Sequence, residues 1–312
     1  MKPLSPTAAC LFVTGPTASG KTAVGMELAK LAATEIISMD SMALYRGMDV
    51  GTAKPSPEQR SAVPHHLLDI LEPAQDFSVA QYVAEAEKTV LQLRQREVEP
   101  LFVGGTPLYL KALLRGIFEG PPADWAWRRQ LTEEAAVRDP QWLHAKLAEV
   151  DPPAAARLHP NDTRRLVRAL EVHHKTGRPI SDWQQQFNIA RPASECSVFW
   201  LDWPSEALAE RIQRRVDAMF ADGLVEEVVQ LTRDGPTLSH TARQALGYRE
   251  VLEYLAGEHR LSETIELVKI HTRQFAKRQR IWFRGLGECR RIEASDPFDP
   301  VRTARAIAKY LT

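Results

Sequence analysis

The run Gly15-Pro16-Thr17-Ala18-Ser19-Gly20-Lys21-Thr22 constrains this chain more than any other stretch. It matches the phosphate-binding loop pattern G-x-x-x-x-G-K-[ST] in the setting that pattern requires, with the apolar run Cys10 to Val13 before it and the helix-like Ala23 to Ala33 after it. The glycines let the backbone curl so that successive N–H groups point inward, and the new helix turns its positive end on the same spot. A di- or triphosphate fits such a cradle. Lys21 then reaches the outer phosphate oxygens, and the Thr22 hydroxyl completes the shell of a bridging Mg²⁺. The loop does not say which phosphorylated molecule it holds.

The chain after the loop alternates strand and helix. Val24, Leu28 and Leu31 recur at helical spacing, Glu35 to Met39 reads as a second buried strand, and Pro100 to Val103 as a third. Ser78, with Gln81 as capping-box partner, opens a helix that runs to about Glu97, and Pro107 to Leu114 forms another. In an open parallel sheet, ligands sit beyond the carboxyl ends of the strands. Asp40, just after the second strand, is therefore a candidate general base, although an aspartate in that place also serves as a turn or cap residue. The third strand ends in Gly104-Gly105-Thr106, where a triphosphate-hydrolysing enzyme usually carries a Mg²⁺-binding aspartate. That ending suits a site that positions a leaving group with Thr106 as donor, and it equally suits Thr106 as a helix cap. His65-His66 are adjacent, point apart and have no partner at ligand spacing, which favours a structural role.

From about residue 120 to 196 strand-like runs vanish and four of the seven tryptophans appear. The expected organisation is a P-loop NTPase-like α/β fold, a parallel sheet core flanked by helices over residues 1–119 and 197–312, with a helical insertion subdomain over 120–196. Within the insertion, Asn161-Asp162-Thr163 starts a helix, Gly177 and Pro179 stop it, and Arg164, Arg165 and Arg168 line one side. Ser197 to Leu201 resumes the sheet, followed by helices over Ser205 to Phe220 and Leu224 to Leu231, a long helix from Ser262 to about Arg284, a strand-like Arg290 to Ala294 and a last amphipathic helix.

Forty basic residues balance forty acidic ones, so any nucleic-acid footprint has to be local. The long helix supplies one. Arg273, Lys277, Arg280 and Arg284 fall on one of its faces, with Phe275 and Trp282 on another that can pack on the body, an arrangement suited to phosphate-backbone contact. A solvated charged face is the plainer reading of the same spacing. No segment approaches membrane-spanning length, and the interrupted apolar run before the loop does not make a secretory signal. Three widely spaced cysteines fit reduced thiols in a cytoplasmic protein.

Several stretches together resemble the bacterial tRNA dimethylallyltransferase, or isopentenyl-tRNA transferase, family. They are Gly15 to Thr22, Asp40-Ser41, Tyr45 to Pro55, Pro64-His65-His66-Leu67, Val103 to Tyr109, Arg243 to Tyr248 and Arg273 to Arg284, in order along nearly the whole chain. The resemblance implies transfer of a dimethylallyl group from dimethylallyl diphosphate to the N6 amine of the adenosine 3′-adjacent to the anticodon, in tRNAs reading codons beginning with U, by a monomer. It also implies that Thr17 to Thr22 cradle the diphosphate with Mg²⁺, that Thr106 donates to the bridging oxygen and that Arg215 neutralises the departing charge. Asp40 is then the base that takes a proton from the amine. By the same analogy the tRNA anticodon stem-loop touches Asp40, Ser41, Met42 and Ala43, Thr106, and Arg164-Arg165-Leu166-Val167-Arg168. It also touches Arg243-Gln244-Ala245-Leu246-Gly247-Tyr248, the face bearing Arg273, Lys277, Arg278 and Arg280, and, from the insertion, Arg128. Two positions depart from the pattern: Ala43 stands where many relatives carry glutamine, and Ile281 replaces a common threonine. The rival class, from the loop alone, is a nucleotide-dependent kinase or RNA-stimulated ATPase, and a non-catalytic RNA-binding module would leave the loop and Asp40 idle.

Overall fold

The computed structural model describes residues 6–118, 120–183, 189–233 and 238–310. The chain divides into two compact units, Met1–Leu114 with Ala190–Thr312, and Arg115–Ile189. The first is built on a six-stranded sheet with every pair parallel. Its strands are β1 Leu11–Thr14, β2 Ile36–Ser38, β3 His65–His66, β4 Leu101–Gly104, β5 Ser197–Asp202 and β6 Cys289–Glu293, in the order β3-β2-β4-β1-β5-β6. The central strands are near-continuous apolar runs because helices cover a parallel sheet on both faces.

One hydrophobic cluster joins Val13, Val103 and Phe199 of the sheet to Val24 and Leu28 of helix Lys21–Ala32 and Ile307 of helix Pro300–Ala308. Another joins Trp203 to Leu208, Ile212 and Val216 of helix Ser205–Ala221 and to Val268 and Ala276 of helix Leu261–Gly285. Each fully buried side chain of this size contributes about 1.5–3 kcal/mol. Where β2 and β4 end, the chains come so close that a Cβ on Gly104 would lie 2.0 Å from the Met39 carbonyl oxygen. Only glycine fits there, and the contact sets the turns carrying Asp40 and Thr106 side by side.

The expected strands and helices of this unit are present, with Ser78 and Gln81 forming the capping box at the start of helix Val79–Gln95. Strand β3 is an addition. His65 and His66, for which a structural role is expected, pair with Ile36 and Ile37, and the Val63 carbonyl and Glu35 carboxylate each lie 2.7 Å from a ring nitrogen of His65 and His66 respectively. The histidines thus have structural partners.

In the second unit, helices Trp125–Ala136, Trp142–Val150 and Thr163–Thr176 enclose Leu131, Leu143, Leu147, Leu166, Val167 and Leu170. Asp162 caps the third of these helices by accepting from the Arg165 N–H, and Gly177 ends it at φ 67, a left-handed conformation that suits glycine. No strand occurs among the described residues of this unit, and no described helix is long and apolar enough to cross a membrane.

Candidate active site

The phosphate loop leaves β1 at Thr14 and turns over the first residues of helix Lys21–Ala32. Gly20 takes φ 85, and a Cβ there would meet the Phe298 ring at 2.5 Å. Three side chains from distant elements pin the loop. The Trp203 indole N–H donates to the Ser19 carbonyl at 2.9 Å, and Arg211, stacked 4.2 Å from the Trp203 ring, donates through Nε to the Ala18 carbonyl at 2.9 Å. Gln279 Oε1 accepts the Thr17 N–H at 2.9 Å. The cradling role expected of Thr17 is thereby narrowed, because its amide already has a protein partner and its hydroxyl is what remains for a ligand. Sequence reading missed all three. Trp203 stands one residue past β5 and so obeys the strand-end rule that singled out Asp40.

Lys21 and Thr22 line a cavity of about 480 Å³ with Ala18, Gly20, Arg211, Arg214 and Arg215. Burial, reinforced by the Arg215 charge and opposed by Asp40, pulls the Lys21 ammonium down to about 8. Burial also lowers Arg215, again against the pull of Asp40. Packing cations this closely is costly, Asp40 offsets only part of that cost, and a polyanion relieves it further. Ser19 Oγ is buried in the loop with no hydrogen-bond partner, an orphan of the kind a phosphate oxygen satisfies. Among the described residues no group of three or more His, Cys, Asp or Glu could hold a metal. A single hydroxyl such as Thr22 suits Mg²⁺, which takes most of its shell from phosphate oxygens and water.

The turns that carry Asp40 and Thr106 meet beyond β2 and β4, where the Thr106 N–H donates to the Met39 carbonyl at 3.2 Å. Asp40 Oδ1 accepts the Met42 N–H at 2.9 Å, so the turn role is real. No described group donates to its other oxygen, and that oxygen remains available for a proton. Its charge is felt by Lys21 and Arg215, and secondarily by Tyr82 and Tyr109, stacked 3.9 Å apart, whose phenols are raised chiefly by burial. Thr106 Oγ1 accepts the Ser41 N–H at 3.1 Å, which leaves the hydroxyl proton free to donate. Arg215 Nη2 reaches the Thr52 carbonyl at 3.4 Å. The loop before Thr52 is held by Glu227, which takes the amides of Asp49, Val50 and Gly51 at 2.8, 2.7 and 3.2 Å and the Tyr248 hydroxyl at 2.5 Å. Glu227 was invisible in the sequence because its partners lie more than 170 residues away for the loop amides.

The remaining predicted residues divide by exposure. Arg164, Arg165, Arg243, Gln244, Lys277 and Arg278 are exposed, Arg273, Ser41, Met42 and Leu246 are half-buried, and Ala43, Leu166, Val167, Ala245, Gly247 and Tyr248 are buried. The last six offer a ligand backbone at most, since Gly247 has no side chain, Tyr248 gives its hydroxyl to Glu227 and the others serve packing. Arg128 and Arg168 both grip the buried Glu171, Arg128 through Nε at 2.9 Å and Nη2 at 2.7 Å. Arg280 is bound to Asp202 at 2.9 Å and Ser205 at 2.8 Å. The stripe read along the long helix is corrected at two points: Arg280 faces a carboxylate, and the packing row is Thr264, Val268, Thr272, Ala276, Gln279 and Phe283. Phe275 is 37% exposed.

Residues 43–286 match the family model described as IPP transferase. The chain is 45% identical over 286 residues to a tRNA dimethylallyltransferase of Syntrophobacter fumaroxidans, covering 92% of this chain and 84% of that one. It is 44% identical over 293 residues to one of Geobacter sulfurreducens, covering 94% of each. Among solved structures, the full-length tRNA isopentenylpyrophosphate transferase of Bacillus halodurans superposes with a TM-score of 0.69 at 37% identity, covering 97% of each chain. A eukaryotic dimethylallyltransferase acting on tRNA superposes with a TM-score of 0.76 at 27% identity, covering 96% of this chain and 77% of that one. With identity of 44% sustained over 94% of its length and a family model matched across residues 43–286, the chain belongs to the IPP transferase family.

Proposed function

We propose that this chain, a cytoplasmic monomer, transfers the dimethylallyl group of dimethylallyl diphosphate to the N6 amine of the adenosine 3′-adjacent to the anticodon in tRNA, releasing diphosphate. The observation that supports the reading is that the turn carrying Asp40 is bonded to Thr106 through the Ser41 N–H at 3.1 Å, with Lys21 and Arg215 close enough to feel the Asp40 charge. In the transfer, the bond between the allylic carbon and the bridging oxygen breaks and its electron pair leaves with the diphosphate. Lys21 and Arg215 stabilise that charge, and Thr106 donates to the bridging oxygen. The Thr22 hydroxyl would hold a Mg²⁺ ion, which would supply further neutralisation of the phosphate oxygens. The adenine amine attacks the allylic carbon, and Asp40 takes the proton that the amine sheds, which its delocalised lone pair makes necessary. A stacked base cannot reach the site, so the adenosine is extruded at an unstacking cost of about a few kcal/mol.

The direct test incubates the purified protein with Mg²⁺, unmodified tRNA and labelled dimethylallyl diphosphate, with labelled ATP in a parallel tube. Label moving onto RNA is the expected result. Phosphate released from ATP with no label on RNA would mean a nucleotide-dependent enzyme.

The exposed basic face carries its own prediction. Changing Arg273, Lys277 and Arg278 together to glutamine weakens tRNA binding and lowers the slope of log K against log salt by about 0.7 to 0.9 for each phosphate that is no longer neutralised. A slope equal to that of the unsubstituted protein would place those side chains in solvent. Arg280 is left out of this set because its charge already answers Asp202.

A further inference from the structure

The buried row of helix Leu261–Gly285 contains one primary amide, Gln279, 3% exposed. An amide taken out of water is tolerated only where its acceptor and donor are both satisfied. Here they are satisfied by two different parts of the site. Oε1 accepts the N–H of Thr17 at 2.9 Å, and Nε2 donates to the carbonyl of Gly105 at 2.6 Å. Thr17 lies in the phosphate loop after β1, and Gly105 precedes Thr106 after β4. A Cβ on Gly105 would meet Gln279 Nε2 at 2.9 Å and Lys21 Cε at 3.1 Å, so the amide, the loop lysine and the strand end are packed against one another.

We propose that Gln279 is a positioning residue for prenyl transfer, fixing the phosphate loop and the Thr106 turn in one register from the helix whose outer face bears Lys277 and Arg278. The inference rests on the transferase reading given above. The loop's curl is what aims its amides, and Thr106 lies one residue from Gly105, so one side chain sets the distance between the diphosphate cradle and the donor to its bridging oxygen. A misplacement of about 1 Å between such groups can cost on the order of 100-fold in rate. Because Gln279 is buried and faces the loop, it touches neither the allylic group nor RNA in this role.

The test compares Gln279→Met, which keeps length and removes both hydrogen bonds, with the unsubstituted full-length chain. The first readout is binding of inorganic pyrophosphate with Mg²⁺, followed by calorimetry. The expected result is a Kd for pyrophosphate at least about 10-fold weaker and kcat/KM for dimethylallyl diphosphate lower by about 10- to 100-fold, with tRNA Kd within about twofold. In a Lys21→Met background the same substitution adds much less than it does alone, because both act through the loop. A purely structural role would move both substrates alike and add in full. Should Gln279→Met fail to fold, Gln279→Asn retains the amide one carbon shorter, and an intermediate loss of pyrophosphate affinity is expected of it. Pyrophosphate Kd within twofold of the unsubstituted chain, or a proportional loss of tRNA affinity, would overturn the inference. If the unsubstituted chain moves no label from dimethylallyl diphosphate to tRNA, the transferase reading falls, while the pyrophosphate comparison still decides whether Gln279 holds the loop.

Discussion

Asp40→Asn lowers the rate of transfer by about 100- to 10,000-fold, the range a positioned general base contributes, and leaves tRNA Kd within about twofold. Asparagine is the informative replacement. Its side-chain oxygen can still accept the Met42 N–H that Asp40 Oδ1 accepts, so the turn after β2 survives while the proton acceptor is lost. The effect belongs in kcat because a base strengthens its interaction only as the amine gives up its proton, and groups that act only in the transition state add little to binding. The measurement is single-turnover transfer of the labelled allyl group together with equilibrium tRNA binding. A variant that turns over within threefold of the unsubstituted protein would remove Asp40 from the role of base and leave it a turn residue beside the site.

Lys21→Met lowers kcat/KM for dimethylallyl diphosphate by about 100- to 1,000-fold, comparable to removing a donor from a developing oxyanion. The pH dependence gives a second, independent reading. Burial and the neighbouring Arg215 hold the empty-site Lys21 near 8 against an ordinary 10.5. The protonated amine is the form that attracts the diphosphate, and the diphosphate in turn raises the amine's affinity for its proton. Binding therefore takes up a proton above pH 8, and the Kd rises with pH there, by up to about tenfold per unit. Lys21→Arg, whose guanidinium stays charged throughout, should flatten that rise even where its geometry weakens binding overall. Parallel pH curves for lysine and arginine would mean that some other group titrates.

Much of the fold could be read from local chemistry. The loop at 15–22 announces a strand before it and a helix behind it, and strands β1, β2, β4 and β5 appear where the apolar runs place them. Helix starts at Ser78 and Asp162 are set by side chains reaching three residues ahead, a distance the sequence displays directly. Strand β3 was not legible, because two polar histidines carry no alternation and are extended only through pairing with β2. The candidate site was legible where it followed the ends of strands, as at Asp40 and Thr106, and not where it depended on which face a helix buries.

The charges illustrate the division best. Order and spacing along the chain are enough to establish a phosphate-loop motif, a carboxylate and a hydroxyl each at a strand end, a basic C-terminal helix and the collinear motifs of the family. Which of those groups are available to a ligand is settled by the packed fold alone. Arg280 meets Asp202, 78 residues away, and Arg128 meets Glu171, 43 residues away, while Gln279 crosses 262 residues to the loop. A side chain's partner is chosen by the packing of elements remote in sequence, and burial makes leaving such a partner unmade too costly. For that reason the motif tells where an arginine or an amide lies, and the fold tells whether it faces a ligand or another part of the protein.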